Sequence, residues 1–180
     1  MSSSARRRTE TVTVASRQRT GRPRATTVAR VPRRPRKSLP DPGVFQVTAR
    51  GVNKSAIVFD DVDRHALKEL VIRTERRFGW RYDVFCIMTT HFHLVLPAAL
   101  DPLSAGMHWL NGVWAQRINR RYSRTGHLFE NRFSAWVIGD ERHWEATCRY
   151  VLENPVRAGL CDSPRDWPWS GGRFFERYRP

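Results

Sequence analysis

Beyond residue 40 the chain predicts an α+β fold, and three observations carry that reading. Short apolar segments and helical stretches follow in the order strand, helix, strand, strand, helix, strand, and then a further helix. The second and third strands are joined by two residues only, so the chain must turn straight back and pair with itself. No run approaches the roughly 18 to 20 apolar residues that a membrane helix needs, which leaves a packed core to absorb the hydrophobic side chains.

Each element has a local cause. Residues 44–50 (VFQVTAR) alternate well enough for a strand, and Gly51-Val52-Asn53 closes it. Asp60, Asp61 and Asp63 lie where a helix N-terminus favours negative charge, ahead of Ala66, Leu67, Leu70, Val71 and Phe78 at helical spacing. A helix over residues 61–78 follows, ended by Gly79. Residues 82–88 (YDVFCIM) are almost continuously apolar, as in a strand buried on both faces. After Thr89-Thr90, residues 91–97 (HFHLVLP) run back as the third strand. Residues 103–122 place Met107, Leu110, Val113, Trp114 and Ile118 at helical steps and finish among cations. Residues 128–138 read as the fourth strand. Residues 140–153 read as a third helix stopped by Asn154-Pro155, because the residue before proline avoids helical angles. The aromatic tail is expected to pack over the body, and Trp136, Trp144, Trp167 and Trp169 are assigned to packing. This order is the ferredoxin-like split βαβ arrangement, an antiparallel sheet with helices on one face and an added C-terminal helix.

Charge divides the chain unevenly. Of the formal +15 over 180 residues, residues 1–38 carry +11, from eleven Arg and one Lys against Glu10. Residues 1–40 therefore read as a disordered Arg-rich basic arm, either a phosphate-binding tail or a solvated extension. The folded body is expected over residues 41–170, with residues 171–180 as a C-terminal extension. Cys86, Cys148 and Cys161 are too few and too scattered for a disulfide framework or a zinc ribbon. No apolar segment follows the early arginines as a secretory signal requires, so a cytoplasmic protein without a membrane partner is expected.

Two spacings carry chemistry. On a strand, His91 and His93 point to one face while Phe92 points to the other, with backbones roughly 6.6 to 6.8 Å apart. Two imidazoles so placed can converge on one ion at bond lengths of about 2.0 to 2.1 Å, although two incidental histidines on a solvated face have the same spacing. On the last helix Tyr150 and Asn154 share a face, with Glu153 one step off. A phenol with a reference pKa near 10 is a poor nucleophile at neutral pH unless a base or a cation assists it. A packed aromatic with its hydroxyl at the surface is the alternative for Tyr150.

Four segments, taken in order, resemble a known family. They are residues 42–51 (PGVFQVTARG), the pair His91 and His93 around Phe92, residues 126–133 (GHLFENRF) and residues 150–160 (YVLENPVRAGL). Over about residues 42–170 the chain is similar to the single-tyrosine HUH transposases of the IS200-like superfamily, in the branch of REP-associated tyrosine transposases. The resemblance implies a metal-dependent enzyme that nicks and rejoins single-stranded or hairpin DNA through a 5′-phosphotyrosine link. It implies His91 and His93 as ligands of a divalent ion, Mg2+ or Mn2+, Tyr150 as nucleophile, and Asn154 as a further ligand with Glu153 as the fallback. It also implies that residues 41–170 form the transposase-like domain, acting as a monomer or homodimer. Where the family usually has a Pro-Asn or Pro-Glu pair before its first histidine, this chain has Thr89-Thr90.

Such an enzyme must hold single strands, and Arg117, Arg120, Arg121, Tyr122, Arg124 and Arg132 offer phosphate clamps beside a stacking ring. Any one of these arginines is as well explained by capping a helix end. The competing reading is a domesticated, non-catalytic protein that binds a DNA or RNA hairpin, since composition alone cannot separate binding from cutting. A hydrolase using water ranks third, because only Glu153 is an obvious base.

Overall fold

The computed structural model describes residues 40–179, so the expected basic arm, but for its last residue, lies outside the described residues. The first strand, β1 (Gly43–Arg50), leads through a 3-10 turn into α1 (Asp61–Phe78). Asp60 caps that helix by accepting the Asp63 backbone N–H at 2.8 Å, and Gly79 ends it in the left-handed region at φ 65°. Next come β2 (Val84–Ile87), β3 (His91–Ala98), α2 (Leu100–Arg121) and β4 (Ser134–Ile138). The chain closes with α3 (Glu141–Leu152), the single turn α4 (Asn154–Arg157), β5 (Ser170–Gly171) and α5 (Arg173–Arg177).

All pairings are antiparallel, in the sheet order β4-β1-β3-β2-β5. That makes β1 parallel to β2, and β3 parallel to β4, so each pair is joined by a helical crossover. Right-handed crossovers place α1 and α2 on the same face of the sheet. Phe45, Val47, Ala49, Phe92, Leu94 and Leu96 point to that face and are buried. Trp114 of α2 is 0% exposed and donates its indole N–H to the Ile57 carbonyl at 2.8 Å, which satisfies the one polar atom it carries inward. The opposite face holds Gln46, Thr48, Arg50, His91 and His93, and α3 packs across its β2 and β3 half. No described helix is long and apolar enough to cross a membrane.

The differences from expectation have simple causes. Helix α2 begins at Leu100, three residues early, because Pro102 falls in the first turn, where its missing N–H needs no partner. Residues 128–133 are irregular: Gly51 and Phe129 form an isolated bridge, and Val52 N–H donates to the Leu128 carbonyl at 3.0 Å. Pro155 stops α3 but sits in the first turn of α4. The tail adds a fifth strand that covers the edge of β2, a role its two residues are too short to announce by pattern. Trp167 and Trp169 are buried, and Trp144 donates its indole N–H to Asp83 at 2.8 Å. Trp136 departs from the packing assignment: it is half-buried and belongs neither to the core nor to the side chains packed against it.

Gly106 offers a check on the core. A Cβ there would lie 2.2 and 2.4 Å from two carbons of the buried Trp80 ring. Alanine gains about 1 kcal/mol of helix propensity, whereas forcing such an overlap typically costs about 1 to 3 kcal/mol. Gly106→Ala is therefore expected to lower stability by about 1 kcal/mol net, read as a lower urea midpoint with an unchanged slope.

Candidate active site

Strand β3 opens at His91, directly after the two-residue turn, which Met88 N–H closes by donating to the His91 carbonyl at 2.8 Å. Strand alternation buries Phe92 completely and turns both imidazoles to the other face, with ring centroids 4.8 Å apart and planes at 90°. Each ring is held through Nδ1. Thr48, the register partner of His93 on β1, lies with its hydroxyl 2.9 Å from His93 Nδ1, and the Thr90 hydroxyl lies 3.0 Å from His91 Nδ1. Thr90, the residue immediately before the first histidine, thus supports its ring. In the tautomer that donates Nδ1–H to threonine, each ring keeps its Nε2 lone pair free.

Burial sets the charge state. It pushes His93 down to about 3, with the neighbouring His91 and Arg50 acting in the same direction. Burial also pushes His91 down to about 4, with Arg50 adding to it. Both rings are neutral at pH 7, the form in which an imidazole binds a cation. Arg50 is the register partner of His91, and its guanidinium makes no ion pair or hydrogen bond with a described residue.

Helix α3 brings the third component. Thr147, Cys148, Val151 and Leu152 are buried along one side of it, and Asp140 caps its start by accepting the His143 N–H at 2.8 Å. This seating leaves Tyr150 half-buried with its ring centroid 6.3 Å from that of His93, at 81°. Arg157 of α4 reaches back over the Tyr150 ring, 4.6 Å from its centroid, and is itself held by Glu153. Asn154 lies one turn beyond Tyr150, and its Nδ2 donates to the Tyr150 and Val151 carbonyls at 2.8 and 3.3 Å. Its amide oxygen makes no hydrogen bond to a described residue. Among the described residues no three His, Cys, Asp or Glu side chains gather as a metal site. The two neutral imidazoles are brought together and could share a cation, whereas Asn154 is tied through Nδ2 to the end of its own helix and makes no hydrogen bond with either ring.

The arginine cluster of α2 lies apart from this site and divides in two. Arg121 bonds Asp63 and Asp60 at 2.5 and 2.7 Å, and the Tyr122 hydroxyl donates to Asp63 at 2.8 Å, so both side chains are engaged at the N-terminus of α1. Burial, with that bond to Asp63, pushes the Tyr122 phenol up to about 12. Arg124 lies over the Phe59 ring, 5.5 Å from its centroid. Arg117, Arg120 and Arg132 are exposed and unpaired among the described residues. Arg132 borders a cleft of about 1380 Å³ between α2 and residues 126–133, walled also by His108, Asn111, His127 and Phe133. Sequence reasoning passed over Arg50, Thr48, Thr90 and Arg157. Arg50 and Thr48 were findable, since they share strand parity with Gln46 and so lie on the face opposite the core.

Comparison with known proteins gives a family and a fold. The profile of the family described as transposase, IS200-like, matches residues 47–154. A REP-associated tyrosine transposase of Haemophilus influenzae is 26% identical over 96 residues, which are 47% of this chain and 54% of that protein. The chain thus spans about half the length of that curated relative. The solved structure of a REP-associated tyrosine transposase bound to a REP hairpin superposes with a TM-score of 0.63 over 80% of this chain and 83% of that one, at 17% identity, a likeness of fold.

The two groups of arginines are separable by experiment. Asp63 is 0% exposed, so Arg121→Ala leaves a buried carboxylate short of its cation. The thermal midpoint is expected to fall by several degrees in Arg121→Ala and to stay within error in Arg117→Ala and Arg132→Ala, as scanning calorimetry would measure.

Proposed function

This chain belongs to the IS200-like transposase family, and on that premise we propose that it nicks and rejoins single-stranded hairpin DNA, with Tyr150 as the attacking group. The observation that carries the reading is the meeting of the His93 and Tyr150 rings, 57 positions apart in the chain and 6.3 Å apart between centroids. A tyrosine kept only for packing has no need of a neutral imidazole beside it that is itself paired with a second one.

The residues divide the work. The Tyr150 oxygen attacks a backbone phosphorus in line, forming the bond from phosphorus to the phenol oxygen as the bond to the 3′-oxygen breaks. The phenol proton passes to solvent, the 3′-oxygen takes one up, and the reverse attack by a 3′-hydroxyl rejoins the strand. His91 and His93, with the Asn154 oxygen, would hold a divalent ion, Mg2+ or Mn2+, which when bound would supply Lewis-acid neutralisation of the phosphate charge. Thr48 and Thr90 orient the two imidazoles, and Arg157 lies over the Tyr150 ring. The similar protein solved on a REP hairpin supports a hairpin as the partner, and the exposed Arg117, Arg120 and Arg132 are suited to its phosphates.

Labelled hairpin oligonucleotides with single-stranded flanks test this directly. With Mg2+ or Mn2+ the protein is expected to yield an adduct that survives denaturation. Tyr150→Phe should abolish the adduct and leave hairpin affinity within about twofold, since only a hydroxyl is lost. The double change His91→Ala and His93→Ala, or chelation of the metal, should abolish it as well. Binding without any adduct in the intact protein would instead establish a hairpin binder that does not cut.

Removing residues 1–38 takes away a net +11. General affinity for DNA is expected to fall, and the slope of log affinity against log salt to flatten by about 0.7 for each single-strand phosphate that the arm no longer neutralises. The position of the cut should not move, which sequencing of the products would verify.

A further inference from the structure

On the face that carries the histidines, α3 packs chiefly on β2 and β3 and meets β4 as well, where Ile138 is buried, while Gln46, Thr48, Ser134 and Trp136 on the β1 and β4 half stay partly exposed. The register places Trp136 of β4 opposite Gln46 of β1, and Ser134 opposite Thr48. Thr48 itself holds His93, so Trp136 stands on the active face. From strand spacing it lies about 12 Å from His93, two strands across and two residues along. Among the described residues its indole makes no ring contact and no hydrogen bond, and it is outside the core. A half-buried, unpartnered tryptophan on a partly exposed sheet is the arrangement that stacks an unpaired base. The unpaired guanidinium of Arg50 stands on the same face beside His91, where an anionic backbone would complement it.

We propose that this partly exposed half-sheet is the path of the single strand next to the cut, with Trp136 stacking one of its bases, Gln46 beside it to meet the base edge, and Arg50 holding a phosphate near the imidazoles. The inference rests on the reading of Tyr150 as the DNA-attacking group, because it takes its occupant from continuity with that site. A base on Trp136 and a phosphate at His93 would be joined by an extended stretch of a few nucleotides, so the platform sets where the strand enters without touching the bond that breaks.

The test uses the full chain and two fluorescent hairpin oligonucleotides of equal charge, one with ordinary single-stranded flanks and one with abasic flanks, titrated in chelator at fixed salt so that no cutting intervenes. The intact protein is expected to prefer the base-bearing flanks. Trp136→Ala should lose about 5- to 100-fold on base-bearing flanks and nothing on abasic ones, while Trp136→Phe keeps most of the preference. Equal affinity of the intact protein for both flanks, or an equal effect of Trp136→Ala on both, overturns the proposal. Photo-crosslinking of iodouracil-substituted flanks to the unaltered protein reads the same contact without a variant, and crosslinks confined to other residues overturn it too. Covalent capture, measured separately with metal, tells the two readings apart. No adduct with the Trp136 effect present sinks the cutting role alone, and an adduct with no Trp136 effect sinks the platform alone.

Discussion

The pairing of β1 with β3 is the constraint on which the rest of this protein depends. Eight residue pairs run in unbroken antiparallel register from Gly43 opposite Ala98 to Arg50 opposite His91. Because side chains alternate strictly, a slip of one residue in either strand would turn Phe45 and Val47 or Phe92 and Leu94 toward solvent and carry the site residues into the core. Burial of the apolar set therefore enforces the placement of the polar set. Thr48 meets His93, and Arg50 meets His91, because the residues between them cannot be anywhere but inside.

The two faces then treat charge in opposite ways. On the side of α1 and α2, the buried carboxylate of Asp63 is matched by Arg121 and Tyr122, so the cation is spent on the fold. On the other side two imidazoles are kept neutral by burial and by a guanidinium that no described carboxylate offsets. That local excess of positive potential, with no acid to consume it, favours an anionic ligand such as a phosphate.

Around Tyr150 the local interactions run in one direction. The Asn154 amide binds the carbonyls at the end of α3, Pro155 opens the following turn, and that turn brings Arg157 onto the tyrosine ring. The helix end and the phenol are thus held by the same few residues, and Arg157 is kept in place by Glu153 within one turn. This couples the orientation of the phenol to the ending of the helix that carries it.

Much of this was legible in the linear chain because it depends on local periodicity. The bounds of α1, the start of β3 and the common face of His91 and His93 all follow from spacings of two or of three to four residues. The split βαβ order followed from counting elements. What the tertiary structure alone decided is which distant side chains meet: Thr48 with His93, His93 with Tyr150 and Arg121 with Asp63, while Trp136 has no ring or hydrogen-bonding partner among the described residues. Periodicity assigns a residue to a face of its own element but cannot say whether another element covers that face, because coverage depends on where helices cross the sheet. Trp136 looked like core for that reason, and only the tertiary structure shows that it stands outside the core, partly exposed.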